Sequence, residues 1–312
     1  MGADDETWSI GELAERAGVT VKTVRFYSDR GLLPESGRST GGHRRYGAGA
    51  LERLRAIRAL RGLDLPVVAV GRVLDEQGSL EDLVAGKLRE VRDGIAELRW
   101  REASLRLLQG CPARERAERL RLLGAVTLPP DTTALARFWR RTLPVRFPAK
   151  LAAAVVEAAV PQLPEHPAPE QVLAYARLRE LVATAPAPAV HLARLPHRPT
   201  VLYEGLAEAY ELGAAEITRG LPPAPGAALD GFVAAYAAAL GARDSRAFRR
   251  RLAGLMVEGA DPSIGRYWRL AGELAGEQSG PTAGAVHGWL CTALKSGLGR
   301  DAIPPAAPGW AR

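Results

Sequence analysis

Residues 8–46 read WSIGELAERAGVTVKTVRFYSDRGLLPESGRSTGGHRRY, and their order decides the fold of the amino-terminal third. Ile10, Leu13 and Ala14 fall at helical spacing on one face, and Gly18 stands where a first helix must stop and the chain must reverse. Thr20 is placed to cap a second helix, with Val21, Val24 and Leu32 turned toward the first. Lys22, Thr23, Arg25 and Tyr27 are left on the remaining surface, and Gly31 ends the helix. Beyond it, Gly37, Gly41 and Gly42 permit a tight hairpin, which Arg38, Arg44 and Arg45 charge without adding apolar content. A core hairpin would not have this composition. Two short helices followed by a charged ribbon make a winged helix-turn-helix, an arrangement suited to phosphates and base edges.

Charge supports this locally. Residues 20–61 contain ten Lys or Arg against three Asp or Glu, a net of +7, and such an excess favours counterion release from a polyanion. The whole chain also carries +7, with a pI near 9.8. Residues 1–112, however, hold eighteen basic and seventeen acidic groups, so most of the overall excess lies beyond them. Only the cluster, and not the net charge, localises a nucleic-acid contact.

This segment resembles the DNA-binding domain of the MerR family of transcriptional regulators. The family's S/T-I-G-E-L-A opening is matched by Ser9 to Ala14, and its V-S/T-V-x-T-[LV]-R-[YF]-Y recognition helix by Val19 to Tyr27. Its G-L-[LI] exit corresponds to Gly31 to Leu33, and its G-[YH]-R-x-Y wing to Gly42 to Tyr46. The likeness continues through a third helix marked by Leu51, Leu54, Ile57 and Leu60, and a short fourth over 65–74. The resemblance implies that Thr20, Lys22, Thr23, Arg25, Tyr27, Arg38, His43, Arg44, Arg45 and Tyr46 meet double-stranded promoter DNA. Lys22 and Thr23 would lie nearest the bases, while Arg25, Tyr27 and Tyr46 position the backbone. It also implies RNA polymerase as an indirect partner at the promoter.

Val84, Leu88, Val91, Ile95, Leu98 and Leu105 alternate four and three residues apart, interrupted only by Glu102, which is the signature of a coiled-coil seam. Arg89, Arg92, Arg99, Arg101 and Arg106 charge the opposite face. In the resembled family this helix pairs antiparallel with its twin, which implies a homodimer. The expected fold is mostly α: a winged helix-turn-helix over 1–77, a dimerisation helix over 78–110, and an all-helical effector-binding domain over 111–312.

Past Cys111 the chain is rich in Pro, Ala and Leu, and prolines open repeated helical patterns. Helices are expected over 133–143, 149–160, 169–183, 200–219, 229–240, 245–258, 263–275 and 282–298, with no alternating strand among them. A metal sensor needs clustered thiolates or imidazoles, and Cys111 has no second Cys nearby, while His166, His191 and His197 follow no ligand spacing. No metal or cofactor is therefore expected. A domain of this size can enclose an organic molecule, and Trp139, Tyr203, Glu204, Tyr210, Tyr236, Tyr267 and Trp268 are the candidate ligand-binding residues, rings for a bulky or cationic compound and a carboxylate for its charge. This architecture resembles the TipA-like drug-binding regulators, although no motif in this half carries the likeness.

No phosphate loop, H-E-x-x-H or nucleophile elbow points to an enzyme. Two Cys far apart suit a reducing cytoplasm, and no apolar run approaches the length of a membrane span. Two alternatives remain: a carboxy-terminal domain that docks a protein partner, and a thiol redox sensor using Cys111 or Cys291.

Overall fold

The structure, a computed structural model, describes residues 6–143, 147–184, 198–258, 261–276 and 280–298. His191 and His197 lie outside the described residues. The chain divides into two compact units, residues 1–93 and 94–312.

In the first unit, α1 spans Ile10–Ala17 and begins at a reciprocal capping box in which the Ser9 hydroxyl accepts from the Glu12 amide and the Glu12 carboxylate accepts from the Ser9 amide. It stops at Gly18, whose φ of 62° is a left-handed conformation that a side chain would resist. α2 spans Val21–Asp29, capped as expected by Thr20. β1 (Gly37–Arg38) and β2 (Arg44–Arg45) pair antiparallel, Gly37 opposite Arg45 and Arg38 opposite Arg44. Backbone bonds between Trp8 and Tyr46 tie the start of the chain to the base of this wing. α3 (Ala48–Gly62) and α4 (Val67–Leu74) follow. Leu13, Val24, Tyr46, Leu54, Ile57 and Val70 form the core. Val21 is a correction: it is 40% exposed, because three residues before Val24 it falls at the edge of the helix face that packs inward.

α5 runs unbroken over Leu80–Gln109 and contributes to both units. Trp100, Ala103 and Leu107 of its second half are buried, whereas Leu88, Val91, Ile95, Leu98 and Leu105 are all more than two-fifths exposed. At about 100° per residue these two sets stand on nearly opposite faces.

The second unit is built of helices: α6 (Ala113–Gly124), α7 (Thr133–Thr142), α8 (Ala149–Ala159), α9 (Pro169–Thr184), α10 (Pro199–Thr218), α11 (Ala227–Leu240), α12 (Arg246–Glu258), α13 (Pro262–Ala275) and α14 (Ala283–Leu298). All eight expected helices are present. α6 was not expected, and its sequence explains why: half of ARERAERLRLLG is charged and it buries only Leu122. Two cores result. One joins Trp100 of α5 to Phe138, Trp139, Tyr175 and Tyr267, and the other joins α10, α11, α12 and α14 around Phe232, Tyr236, Leu252 and Leu290. α10 and α11 meet closely at Gly205, where an added Cβ would lie 2.8 Å from the Ala235 Cβ.

Candidate nucleic-acid interface

α2 turns Val24, Tyr27 and Ser28 inward, which leaves Lys22, Arg25 and Phe26 exposed along its outer face. At its amino end the Thr20 and Thr23 hydroxyls lie 2.9 Å apart and hydrogen bond, and Thr20 Oγ1 also accepts from the Thr23 amide. The free amides of this first turn and the ammonium of Lys22 combine into one positive end. Arg30 stacks on the Phe26 ring at 3.6 Å. Neither Phe26 nor Arg30 was singled out from sequence, although the burial phase of Val24 and Tyr27 leaves Phe26 outside.

Two expected DNA contacts are corrected. Tyr46 is completely buried, and its hydroxyl shares a 2.7 Å hydrogen bond with Ser28. Tyr27 is buried in the same core. Tyr46 holds the wing against α2 through Ser28, and both rings present almost no surface to a ligand.

The wing arginines divide similarly. Arg44 donates to Ser28 Oγ at 2.8 Å and Asp29 Oδ1 at 2.6 Å, and it pairs with Glu35 at 2.8 Å. Its pKa is raised chiefly by the Asp29 bond. Arg44 therefore buttresses the wing rather than gripping phosphate with a free guanidinium. Arg38 and Arg45, by contrast, have only loose partners at 3.8 Å, Glu35 and Glu12, and are 61% and 40% exposed. His43 at the hairpin tip is exposed.

Three more of the ten basic residues are committed internally. Arg53 donates to the carbonyls of Leu32 and Leu74 and to Asp75, Arg58 to the Ala17 carbonyl, and Arg61 to that of Leu65. The cations left facing solvent are Lys22, Arg25, Arg30, Arg38, Arg45 and Arg55. Six solvent-facing cations spread over α2, the wing and α3 can hold phosphates of a duplex.

The aromatic residues expected to bind a ligand fall into two groups and do not line one site. Trp139, Tyr267 and Trp268 belong to one core, with ring centroids 5.1 to 5.3 Å apart, and Tyr210 and Tyr236 belong to the other. Tyr267 is fully buried with its hydroxyl donating to the Ala159 carbonyl at 2.8 Å, so it is structural. Trp139 and Tyr236 are likewise packed as core, because edge-to-face and tilted ring contacts occupy their faces. Tyr203 meets Phe147, and its neighbour Glu204 points to solvent, separated from the rings it was expected to accompany. Tyr210 shares a 2.7 Å hydrogen bond with His287 Nδ1, and burial lowers the pKa of that imidazole to about 4.

Among the described residues no helix is long and apolar enough to cross a membrane, and no group of three or more His, Cys, Asp or Glu could hold a metal.

Residues 8–77 match the model of the MerR HTH family of regulatory proteins. The nodulation protein NolA of Bradyrhizobium sp. is 42% identical over 89 residues, which cover 28% of this chain and 38% of NolA. The mercuric resistance operon regulatory protein of Serratia marcescens is 36% identical over 116 residues, 35% of this chain and 81% of that protein. The HTH-type transcriptional activator TipA of Streptomyces coelicolor is 46% identical over 70 residues, 22% of this chain and 28% of TipA. The chain thus spans about two-fifths of the length of the nodulation protein it matches.

Proposed function

The chain belongs to the MerR HTH family of regulatory proteins, and on that premise we propose that it regulates transcription as a homodimer bound to double-stranded promoter DNA. The observation that carries this reading is the set of solvent-facing cations that the recognition helix and the wing present, Lys22 and Arg25 on α2 with its capped amino end, and Arg38 and Arg45 on the wing. Thr20, Lys22 and Thr23 lead α2 toward the base edges of a major groove, while Arg25, Arg38, His43 and Arg45 hold flanking phosphates.

Dimerisation accounts for the exposed stripe of α5. Val84, Leu88, Val91, Ile95, Leu98 and Leu105 form an apolar seam that a single chain leaves in water, while Trp100, Ala103 and Leu107 are already covered. An isologous pairing of two α5 helices hides it and sets two recognition helices on two half-sites. In this scheme residues 1–77 read DNA, 78–110 join the protomers and 111–312 sense an organic effector. Bound effector biases a bistable dimer that bends or untwists the promoter, and RNA polymerase responds indirectly. Such a regulator is not an enzyme and works in the cytoplasm.

A thiol switch is the weaker reading. Burial pushes the Cys291 thiol up to about 11, away from the depressed pKa of a reactive thiolate, and Cys111 is buried with its Sγ donating to the Pro112 carbonyl, which limits its access to oxidants.

Footprinting on DNA upstream of its own coding region tests the proposal. Two protected half-sites about one helical turn, 10 base pairs, apart are expected. A single unpaired footprint, or none at low salt, contradicts it.

A further inference from the structure

Assigning a ligand to the second unit rests on its reading as an effector domain, which leaves the chemistry of that ligand open. α6, α7 and α9 enclose a cleft of about 380 Å³. Its floor is apolar, with Leu122 and Val182 both buried, and its walls carry four guanidiniums: Arg121, Arg137, Arg141 and Arg179.

Acidic groups do not match them. Glu180 is the one carboxylate in the lining, and it is ion-paired with Arg121. Asp131 lies close enough for Arg179 and Arg137 to lower its pKa, yet its main partner is Thr133, whose amide donates to it at 2.7 Å. The Tyr175 hydroxyl beside Arg179 donates to the Asp131 carbonyl. Arg137 and Arg141 form no ion pair with any described residue. Three like charges thus share one concave surface, while the two nearby carboxylates are engaged elsewhere, Glu180 by Arg121 and Asp131 by Thr133. Their mutual repulsion is relieved by an anion, and the planar guanidinium suits the two oxygens of a carboxylate.

We propose that this cleft binds a small organic carboxylate with an apolar body, the charged end on Arg137, Arg141 and Arg179 and the body on Leu122 and Val182. This replaces the bulky or cationic ligand expected from the aromatic residues. The volume suits a compact molecule, and the apolar floor discriminates against inorganic anions. Because the cleft is open to water, affinity is moderate and falls with salt.

Calorimetric titration of the full chain with 1-naphthoate, 1-naphthalenemethanol and inorganic phosphate tests it. Naphthoate is expected to bind, with the neutral alcohol and phosphate each weaker by about tenfold or more. Arg137→Gln with Arg141→Gln is expected to cost about tenfold, since both side chains are exposed and the fold keeps its core. Ala183→Trp, which fills the cleft while keeping every arginine, is expected to abolish binding. No binding of naphthoate, equal binding of the alcohol or of phosphate, or unaltered affinity in either variant overturns the site. Duplex binding measured with and without naphthoate separates the two claims. Naphthoate bound with no effect on DNA affinity keeps the cleft and removes the effector role; DNA binding intact with no naphthoate bound removes the cleft alone.

Discussion

Replacing Val91 and Ile95 together by Asp strikes the proposed dimer seam and little else. Both side chains are exposed in the single chain, by 45% and 43%, and Leu88, Leu98 and Leu105 beside them by 48%, 61% and 62%. Fully burying such a side chain contributes about 1.5–3 kcal/mol, so hiding the exposed half of each contributes about 1 kcal/mol. Five positions on two protomers give about 10 kcal/mol, which falls within the roughly 4–15 kcal/mol that association costs in lost freedom. The seam is therefore finely balanced, and the double substitution removes about 4 kcal/mol from it even before four carboxylates are forced together. The dimer dissociation constant is expected to rise at least about a thousandfold. Sedimentation equilibrium reads this directly, and circular dichroism should show the helix content and melting of a folded monomer. A variant that remains dimeric with the parent's constant, or a parent that is itself monomeric at micromolar concentration, refutes the assignment of α5 as the interface.

Three further outcomes are expected. Arg38→Ala with Arg45→Ala should lower the salt dependence of duplex binding by about 0.9 per lost phosphate contact, whereas Arg44→Ala should mainly lower the melting temperature of the first unit through loss of its bonds to Ser28, Asp29 and Glu35; equal slopes in the two variants would reverse these roles. His287 has a folded pKa of about 4, below its ordinary value of 6.5. The unfolded chain therefore takes up its proton first, and stability present above pH 6.5 is lost as pH falls toward 4; denaturant titrations should show His287→Gln escaping about 2–3 kcal/mol of that loss. Gly205→Val should destabilise the second unit by about 1–3 kcal/mol, because its Cβ meets Ala235 on α11, and an unchanged melting curve would show that the helices can separate freely there.

The winged helix-turn-helix was legible because each local signal agreed with the next. Ser9 and Thr20 cap, Gly18 and Gly31 turn, and Leu13 and Val24 supply the interior at helical spacing. The long α5 helix and its exposed apolar stripe were equally plain, since the heptad spacing is interrupted only by Glu102. Tyr46 and Arg44 were misjudged for a different reason: polar groups near a binding surface can serve the fold as well as the ligand, and only tertiary partners such as Ser28 and Glu35 distinguish the two. The second unit gave up its helices but not its site. Aromatic residues at helical positions filled two separate cores, while the arginines that line one cleft come from Arg121, Arg137, Arg141 and Arg179, spread over three helices with no common motif. Convergence of that kind is produced by packing and leaves no trace in spacing.

The central claim is that paired copies of the first unit lay cations along a duplex. Six cations per protomer face solvent there, Lys22, Arg25, Arg30, Arg38, Arg45 and Arg55. The most direct test is the affinity of the full chain for a duplex carrying its footprinted site, measured across salt concentrations together with the stoichiometry. Two chains per duplex are expected, with log K falling against log salt at a slope of about −4 to −10. Binding by one chain, or a slope near zero, contradicts the account.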